Sequence, residues 1–295
     1  MKIVIAGGGL GNTMFNYALV VAFRKLGIRS ILFVSDANIH HNGYELEKIF
    51  SNVNPFLGIS SITRHYYLFL GYIRCLKLSS KMKFPHRLLL FPFKRLYISN
   101  AYSYCSEVFT NLQRNEYLIG VFQSYKYYEC CKNELIKEFS FDELKLSTLT
   151  KTVANRIKET SNAVSIHVRR GDYMTPYFYK NLGCVCNLDY YNRAITEMNM
   201  RVKNPTYFIF SDDINYVREN LSIPNAVFID FNIKTDSWQD MYLMSICKHN
   251  IIANSSFSWW GAYLNQNPEK VVIAPYIWWA GYDTDDVTPP SWIRL

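Results

Sequence analysis

Regular alternation of predicted strands and helices after residue 162 is the feature that most constrains the fold of this chain. Short apolar runs rich in β-branched and aromatic residues are typical of buried strands, and the longer segments between them have helical periodicity. Strands are predicted at 163–168, 206–210, 226–230, 250–253 and 270–274, and helices at 149–160, 188–202, 215–220, 238–248 and 256–264. This alternation predicts an α/β fold with a doubly wound parallel sheet.

A second α/β unit is predicted at the amino terminus. Strands at 2–6 and 30–34 flank an apolar helix at 12–26. A chain of 295 residues is long for one hydrophobic core. We therefore expect two lobes, divided as 1–148 and 149–295.

The turn after the first strand resembles a dinucleotide-binding loop but departs from it at one position. Counted from Gly7, the G-x-G-x-x-G pattern needs a glycine where this chain has Asn12. That glycine provides close packing of helix on strand, so its absence argues against NAD. The remaining glycines, Gly8, Gly9 and Gly11, allow two interpretations. The backbone either approaches an anionic ligand at a helix amino terminus or only makes a tight turn.

Positive charge is concentrated in one segment, 48–106. It contains nine Lys or Arg residues and no Asp or Glu, in a chain whose net charge is +8. Aromatic and leucine side chains alternate with these bases, but the periodicity is too weak for strands or helices to be assigned. The mixture suits an anionic membrane surface or an anionic lipid-linked substrate. Nucleic-acid binding and a basic face without a dedicated partner are the alternatives.

The chain shows no membrane-spanning or secretory signal. It lacks a run of 18 apolar residues, and the first residues form a strand rather than the apolar region of a signal peptide. The seven cysteines have neither zinc-site spacing nor the pattern of a disulfide framework. These observations predict a cytoplasmic protein with reduced thiols and without a structural metal.

Three potentially cationic side chains, His167, Arg169 and Arg170, lie at the carboxyl end of the predicted strand 163–168. Buried charge is costly unless it is paired or holds a ligand, and ligands of open α/β sheets bind at the carboxyl ends of strands. The adjacent arginines suggest a fork aimed at phosphate, with Asp172 orienting one guanidinium. An ordinary salt bridge at a strand end is the equally weighted alternative.

Further polar side chains follow the other predicted strands. Ser211 and Asp212 come after one strand, Asp230 after the next, and Ser255 and Ser256 stand at a predicted helix start. Hydroxyls and free amides at a helix amino terminus form a ready anion site, although the serines alone could serve only as a cap. The convergence of these loops on one sheet edge favours a binding site.

Common metal and nucleotide motifs are absent. The sequence contains no H-E-x-x-H, no P-loop lysine motif and no D-x-D between strands. Asp283 and Asp285 have D-x-D spacing but lie in the carboxyl tail, which we expect to pack back across one lobe. Arginine and helix amides would therefore replace a divalent ion in stabilising a phosphate leaving group.

Three segments together resemble the motifs of family 11 glycosyltransferases, the α-1,2-fucosyltransferases, here of bacterial type. They are GGLGNTMFNYA at 8–18, HVRRGDY at 167–173 and NSSFSWWGA at 254–262. Thr13 departs from the glutamine that is usual after Asn12 in bacterial members. The resemblance implies a GT-B fold, with two Rossmann-like lobes of parallel strands facing a cleft. It also implies inverting, metal-independent transfer of L-fucose from GDP-β-L-fucose to a galactose 2-hydroxyl, with no cofactor.

The resemblance also implies roles for individual residues. Arg169 would grip the β-phosphate while Asp172 holds Arg169 in place. The donor would further contact Asn12 and the glycine loop on one lobe, and Ser211, Asp212, Asp240, Ser255, Ser256 and Phe257 on the other, with Asp240 accepting from guanine. His167 and Asp172 are candidates for a general base by position, and that role stays open.

The first lobe would recognise the acceptor, a galactose-containing oligosaccharide. A lipid-linked acceptor fits the segment 48–106 and a place at the inner face of the cytoplasmic membrane. One alternative is a related transferase with another fucose linkage or another GDP-sugar. The other is a non-catalytic protein that binds polyanions or membranes, which the polar loops of the second lobe disfavour.

Overall fold

The structure is a computed structural model that describes residues 1–34, 41–57, 94–97, 102–110, 112 and 114–295. The chain forms two compact units, Met1–Ser140 and Phe141–Leu295. The boundary lies before the predicted one at 148 because residues 141–147 already belong to the second unit. The Phe141 ring stacks on Trp238 at 6.0 Å, and the Ser147 N–H donates to the Gln239 side chain at 2.8 Å.

The described part of the first unit contains one parallel sheet and several helices. Its strands are β1 (Lys2–Ile5), β2 (Ser30–Phe33), β3 (Lys94–Tyr97) and β4 (Glu116–Ile119), in the order β2-β1-β4-β3. Its helices are α1 (Leu10–Lys25), α2 (Leu46–Ile49), α3 (Glu107–Thr110) and α4 (Lys132–Glu138). Helix α1 begins before the predicted residue 12, because Leu10 is buried and Gly9 takes the extended cap conformation.

The second unit contains a six-stranded parallel sheet in the order β10-β9-β8-β5-β6-β7. The strands are β5 (Ala163–Val168), β6 (Thr206–Ser211), β7 (Ala226–Ile229), β8 (His249–Ile251), β9 (Val272–Ala274) and β10 (Ile293–Arg294). The helices are α5 (Thr148–Glu159), α6 (Pro176–Phe178), α7 (Leu188–Arg201), α8 (Ile214–Asn220), α9 (Trp238–Ile246) and α10 (Ser256–Leu264).

Strand β5 is buried along its whole length because helices cover both faces of the sheet. Val164, Ile166 and Val168 point to one face and pack with α7. His167 points to the other face, where its ring contacts Phe257 of α10. This arrangement confirms the predicted doubly wound parallel sheet.

The carboxyl tail packs back on the second unit. Its last strand, β10, pairs in parallel with β9, and the Trp292 ring lies 5.4 Å from that of Trp259. Most of the basic segment 48–106 lies outside the described residues. Within the described ranges, no helix combines the length and apolarity needed to cross a bilayer.

A buried ion pair joins the two central strands of the first unit. Lys2 of β1 lies opposite Glu116 of β4, and Lys2 Nζ is 2.6 Å from Glu116 Oε2. The side chains are 0% and 2% exposed. Such a pair contributes little net stability, but removing one partner leaves an uncompensated buried charge.

We expect Lys2→Met to lower the free energy of unfolding of the first unit by about 3–5 kcal/mol. Lys2→Met combined with Glu116→Leu should recover most of that loss, because no charge then stays buried. Hydrogen exchange of β1 and β4 amides measures the effect. All six tryptophans lie in the second unit, so tryptophan fluorescence shows whether that unit stays folded in each variant. Equal exchange in the single variant and the wild type would contradict the prediction.

Candidate functional site

The Arg169 guanidinium lies between two carboxylates at the carboxyl end of β5. Arg169 Nη2 is 2.6 Å from Asp172 Oδ1, and Nη1 is 2.9 Å from Asp212 Oδ2. The guanidinium carbon stands 5.5 Å from the centre of the Tyr173 ring, and the side chain is 23% exposed. Burial lowers the pKa of Arg169, but Asp212 and Asp172 outweigh it and the pKa is raised. Arg169 is therefore a fixed, permanent cation with part of its surface open.

Arg170 has separate partners and does not form a fork with its neighbour. Its Nε donates to Asp213 Oδ2 at 2.9 Å, and its guanidinium carbon lies 3.3 Å from the centre of the Tyr216 ring. Asp213 also caps α8 by accepting the Tyr216 N–H at 3.3 Å. The predicted fork is thus replaced by two arginines with different carboxylates, because Asp213 belongs to the start of α8.

Asp212 connects the ends of β5 and β6. Besides pairing with Arg169, it accepts the Arg170 backbone N–H through Oδ1 at 2.8 Å. The Asp212 carboxylate can lie this close to the loop because residue 171 is glycine. A Cβ at position 171 would lie 2.4 Å from Asp212 Oδ2. Ser211 uses its Oγ to accept the Asp213 N–H at 3.0 Å. Asp212, predicted to contact a donor, therefore positions the arginine loop, and Ser211 stabilises the turn.

The serine loop begins α10 beside the arginine loop. Ser255 caps the helix, its Oγ accepting the Phe257 N–H at 3.4 Å, and Ser256 is the first helical residue. The Tyr173 hydroxyl donates to the Asn254 carbonyl at 3.0 Å, which joins the two loops. Amides and the dipole at the start of this nine-residue helix favour an anion.

His167 is buried beneath this edge. Its ring lies 5.8 Å from the Phe257 ring, and burial followed by the charge of Arg169 lowers the pKa of His167 to about 3. Within the described part of the chain, His167 Nδ1 and Asn254 Oδ1 are buried without a hydrogen-bond partner. A neutral imidazole with so low a pKa is a poor general base at neutral pH. Asp172, tied to Arg169, is also poorly suited to that role.

Asp240 lies in the first turn of α9. Asn232 Nδ2 donates to Asp240 Oδ1 at 2.8 Å, and Asn232 Oδ1 accepts from Thr150 Oγ1 at 3.0 Å. Burial raises the pKa of Asp240 to about 7, against the opposing hydrogen bond from Asn232. No cationic side chain of the described residues pairs with this carboxyl. A ligand with N–H donors would favour its charged form.

In the first unit, the glycine loop holds Asn12 close to the backbone. Gly8 has a φ of +76°, and a Cβ there would lie 2.5 Å from Asn12 Nδ2. Asn12 Oδ1 accepts from Gln123 Nε2 at 2.8 Å. Gly9 caps α1, and Gly11 lies in its first turn. The loop thus needs glycine at position 8 for both its backbone angle and its packing.

Two carboxamide side chains that contact this loop were not predicted from the sequence. Asn16 Oδ1 accepts the Gly7 N–H at 3.2 Å, and Asn16 Nδ2 donates to the Gly120 carbonyl at 2.8 Å. Gln123 is held against Asn12. An asparagine within an apolar helical run is visible in the sequence, and the structure shows that Asn16 is fully buried. Gln123 follows β4, a strand that the sequence did not reveal.

Asp172, Asp212 and Asp213 each pair with an arginine side chain. Among the residues that the structure describes, no group of three His, Cys, Asp or Glu side chains is arranged to hold a metal. In the tail, Asp285 pairs with Arg294 at 2.7 Å, and Asp283 accepts the Asp285 N–H. The D-x-D spacing there forms a local turn.

We expect Gly171→Ala to destabilise the second unit by about 1–3 kcal/mol, because the new methyl group displaces the Asp212 carboxylate. Urea unfolding followed by tryptophan fluorescence measures this. Adding Asp212→Ala removes the clash, so the double variant should be no less stable than Asp212→Ala alone. Additive losses would contradict this explanation.

Comparison with known proteins gives relatives of matching length. The chain is 32% identical to an α-1,2-colitosyltransferase of Escherichia coli, over 100% of this chain and 99% of the relative. It is 29% identical to the O-antigen biosynthesis glycosyltransferase WbnK of the same species, over 98% of each chain. The galactoside α-(1,2)-fucosyltransferase 2 of Mus musculus is 29% identical over 48% of this chain and 42% of its own length.

A solved structure with the same fold is that of the fucosyltransferase NodZ from Bradyrhizobium. Its TM-score is 0.51 at 12% identity, over 88% of this chain and 91% of that chain. This likeness and the two parallel sheets confirm the predicted GT-B fold class. The model of glycosyl transferase family 11 matches residues 4–295, which confirms the resemblance seen in the three motifs. The chain belongs to glycosyl transferase family 11.

Proposed function

We propose that this family 11 enzyme transfers L-fucose from GDP-β-L-fucose to the 2-hydroxyl of a galactoside, with inversion and without a metal, during synthesis of a surface glycan. Membership of the family supports glycosyl transfer. The names of two relatives, an α-1,2-colitosyltransferase and a galactoside α-(1,2)-fucosyltransferase, support an α-1,2 linkage. The O-antigen role in the name of a third supports surface-glycan synthesis. We propose that the reaction needs no cofactor.

The arrangement of groups around Arg169 is the main structural support for this proposal. A fixed guanidinium beside the amino terminus of α10 offers a cation and helix amides to the same anion. A diphosphate leaving group gains negative charge as its bond to the sugar breaks, and preorganised donors stabilise that charge most strongly. Arginine and the helix would thus perform the task that a divalent ion performs in other sugar transferases.

In the proposed reaction, the acceptor oxygen attacks the anomeric carbon from the face opposite the diphosphate. The new carbon–oxygen bond forms as the bond to the β-phosphate oxygen breaks, and GDP leaves with the electron pair. The acceptor hydroxyl passes its proton to solvent water after the sugar has developed oxocarbenium character. Such a loose transition state depends little on a strong base, which agrees with the properties of His167 and Asp172.

Colitose is the second candidate for the transferred sugar, favoured by the similarity to an α-1,2-colitosyltransferase. Colitose is L-fucose without the 3-hydroxyl. A site that hydrogen-bonds this hydroxyl through buried groups discriminates by about 10⁴–10⁵-fold, whereas one that leaves it in solvent accepts both sugars. Competition between GDP-fucose and GDP-colitose therefore separates the two candidates.

We further propose that the acceptor is lipid-linked and that the enzyme works at the inner face of the cytoplasmic membrane, in peripheral contact with it. The support is the sequence of the segment 48–106, whose nine basic residues are interspersed with aromatic side chains.

The decisive experiment incubates the purified protein with GDP-fucose or GDP-colitose, EDTA and a panel of β-galactosides. GDP release gives turnover, and NMR of the product gives the linkage and anomeric configuration. An α-1,2-linked product formed from GDP-fucose in EDTA supports the proposed donor, linkage and independence from metal. A requirement for metal, another linkage, or neither turnover nor GDP binding would overturn the corresponding part.

We expect Arg169→Ala to lower turnover by about 100–1000-fold, because it removes the cation that stabilises the leaving diphosphate. Arg169→Lys should recover little of this loss, since an ammonium cannot contact two carboxylates and a phosphate in one plane. Arg193→Ala is a matched control, because Arg193 forms an exposed pair with Asp189 on α7. Near-normal turnover of Arg169→Ala would refute its role.

Binding of GDP should depend on the ionisation of Asp240, whose pKa burial raises to about 7. Guanine offers two N–H donors to a carboxylate, so protonation below this pKa weakens binding, by up to about tenfold per pH unit. Titration calorimetry between about pH 6 and 8 measures the slope. Asp240→Asn keeps the side-chain shape and corrects for titration of GDP itself. Identical slopes in the two proteins would contradict the prediction.

A further inference from the structure

Four aromatic rings from two segments, one just after the arginine loop and one in the carboxyl tail, form a continuous row whose two end rings are exposed. The row, called the aromatic ladder here, consists of Tyr177, Phe178, Trp279 and Tyr282. Successive ring centres are 4.7, 6.5 and 6.1 Å apart, and each ring meets the next nearly at a right angle. Tyr177 is 79% exposed and Tyr282 is 49% exposed. Exposed aromatic surface on this scale is typical of a binding site.

The ladder is held rigidly by backbone contacts. Asn181 Nδ2 donates to the Ala280 carbonyl at 2.8 Å, and the Ala280 N–H donates to the Asn181 carbonyl at 2.9 Å. These bonds tie the segment that contains Tyr177 to the segment that contains Tyr282. Rigid aromatic side chains give large contact area at a small entropic cost.

The ladder is also continuous with the serine loop. Asn254 Nδ2 donates to the Leu182 carbonyl at 3.2 Å and to the Trp278 carbonyl at 3.1 Å. One side chain beside Ser255 thus fixes both segments of the ladder. The Tyr173 hydroxyl, bonded to the Asn254 carbonyl, links the same point to the arginine loop. A molecule bound at the arginine would therefore lie close to the ladder.

The charge around the ladder does not favour an anionic ligand. Residues 276–286 contain three aspartates and no lysine or arginine, and residues 173–184 contain Lys180 as their only charged side chain. Arg294 neutralises one of the aspartates, Asp285. These segments lack the concentration of basic residues that the segment 48–106 offers to an anionic lipid surface. Uncharged sugars suit such a surface, because their C–H faces stack on aromatic rings and their hydroxyls bond to carboxylates.

We propose that the aromatic ladder binds the acceptor glycan beside the Arg169 site, by stacking separate sugar rings on Tyr177 and Tyr282. This inference rests on the proposed function for the identity of the glycan as acceptor. It assigns part of acceptor recognition to the second unit, whereas the family resemblance implied recognition mainly by the first. The ladder thus determines specificity and takes no part in bond breaking.

The test compares Tyr177→Ala, Tyr282→Ala and the double variant with the wild-type chain. Saturation-transfer NMR with lactose and N-acetyllactosamine reports glycan binding directly, without donor. We expect each single variant to weaken glycan binding, and to raise the acceptor KM, by about threefold to tenfold. The affinity for GDP should stay the same, because no ladder residue is among those proposed to hold GDP.

Two matched variants separate stacking from structural damage. Tyr177→Phe keeps the ring and should bind glycan like the wild type. Tyr276→Ala removes an equally exposed tyrosine from the same tail, one whose ring lies over Arg294 and outside the ladder. It should also leave glycan binding unchanged.

Unchanged glycan binding in the double variant would overturn the inference, and so would no saturation transfer to either sugar in the wild type. Loss of binding to phosphatidylglycerol vesicles with glycan binding intact would assign the ladder to a membrane instead. Failure of the proposed function has a different signature, namely no transfer and no GDP binding by the wild type. Lactose binding that depends on Tyr177 would still support a glycan surface in that case.

Discussion

The contact between Arg169 and Asp212 is the interaction on which the site of the second unit depends. A guanidinium that is mostly buried at a strand end needs a counter-charge, and Asp212 supplies it from the neighbouring strand. That position requires glycine at 171 and places the Arg170 amide on the same carboxylate. The turn then returns Asp172 to the other side of the guanidinium. Removing Asp212 would therefore disturb both arginines.

Much of the fold was predictable because the second unit's strands are apolar runs bounded by polar residues. The helix at 256–264 has the predicted bounds, since Ser255 caps it and the segment between is apolar. The first unit's β3 and β4 were missed for a physical reason. Both contain charged residues, and Glu116 is tolerated in a buried strand only because Lys2 lies opposite it. A pair that distant in sequence leaves no local pattern.

The site shows the same division between local and distant contacts. Arg169 and Asp172 are three residues apart, so their pairing was predictable from spacing. The assignment of Arg170 to Asp213 and Tyr216 depends on how β6 and α8 follow one another beside β5, which one segment cannot reveal. The polar residues at the ends of the predicted strands indicated where the site lies. The pairing of each carboxylate with its arginine depends on the parallel register of β5 and β6, which the sequence does not show.

Directed donors, rather than an excess of positive charge, would hold an anion at the site of the second unit. Protonation of His167 would add a second buried cation beside Arg169, and the low pKa of His167 prevents this at neutral pH. The charges of Asp172 and Asp212 already exceed the single charge of Arg169. A phosphate would therefore be held by the exposed part of the guanidinium and by the amides at the start of α10, which the two carboxylates position. On the proposed function, these donors bind the diphosphate, and the aromatic ladder receives the neighbouring glycan by stacking.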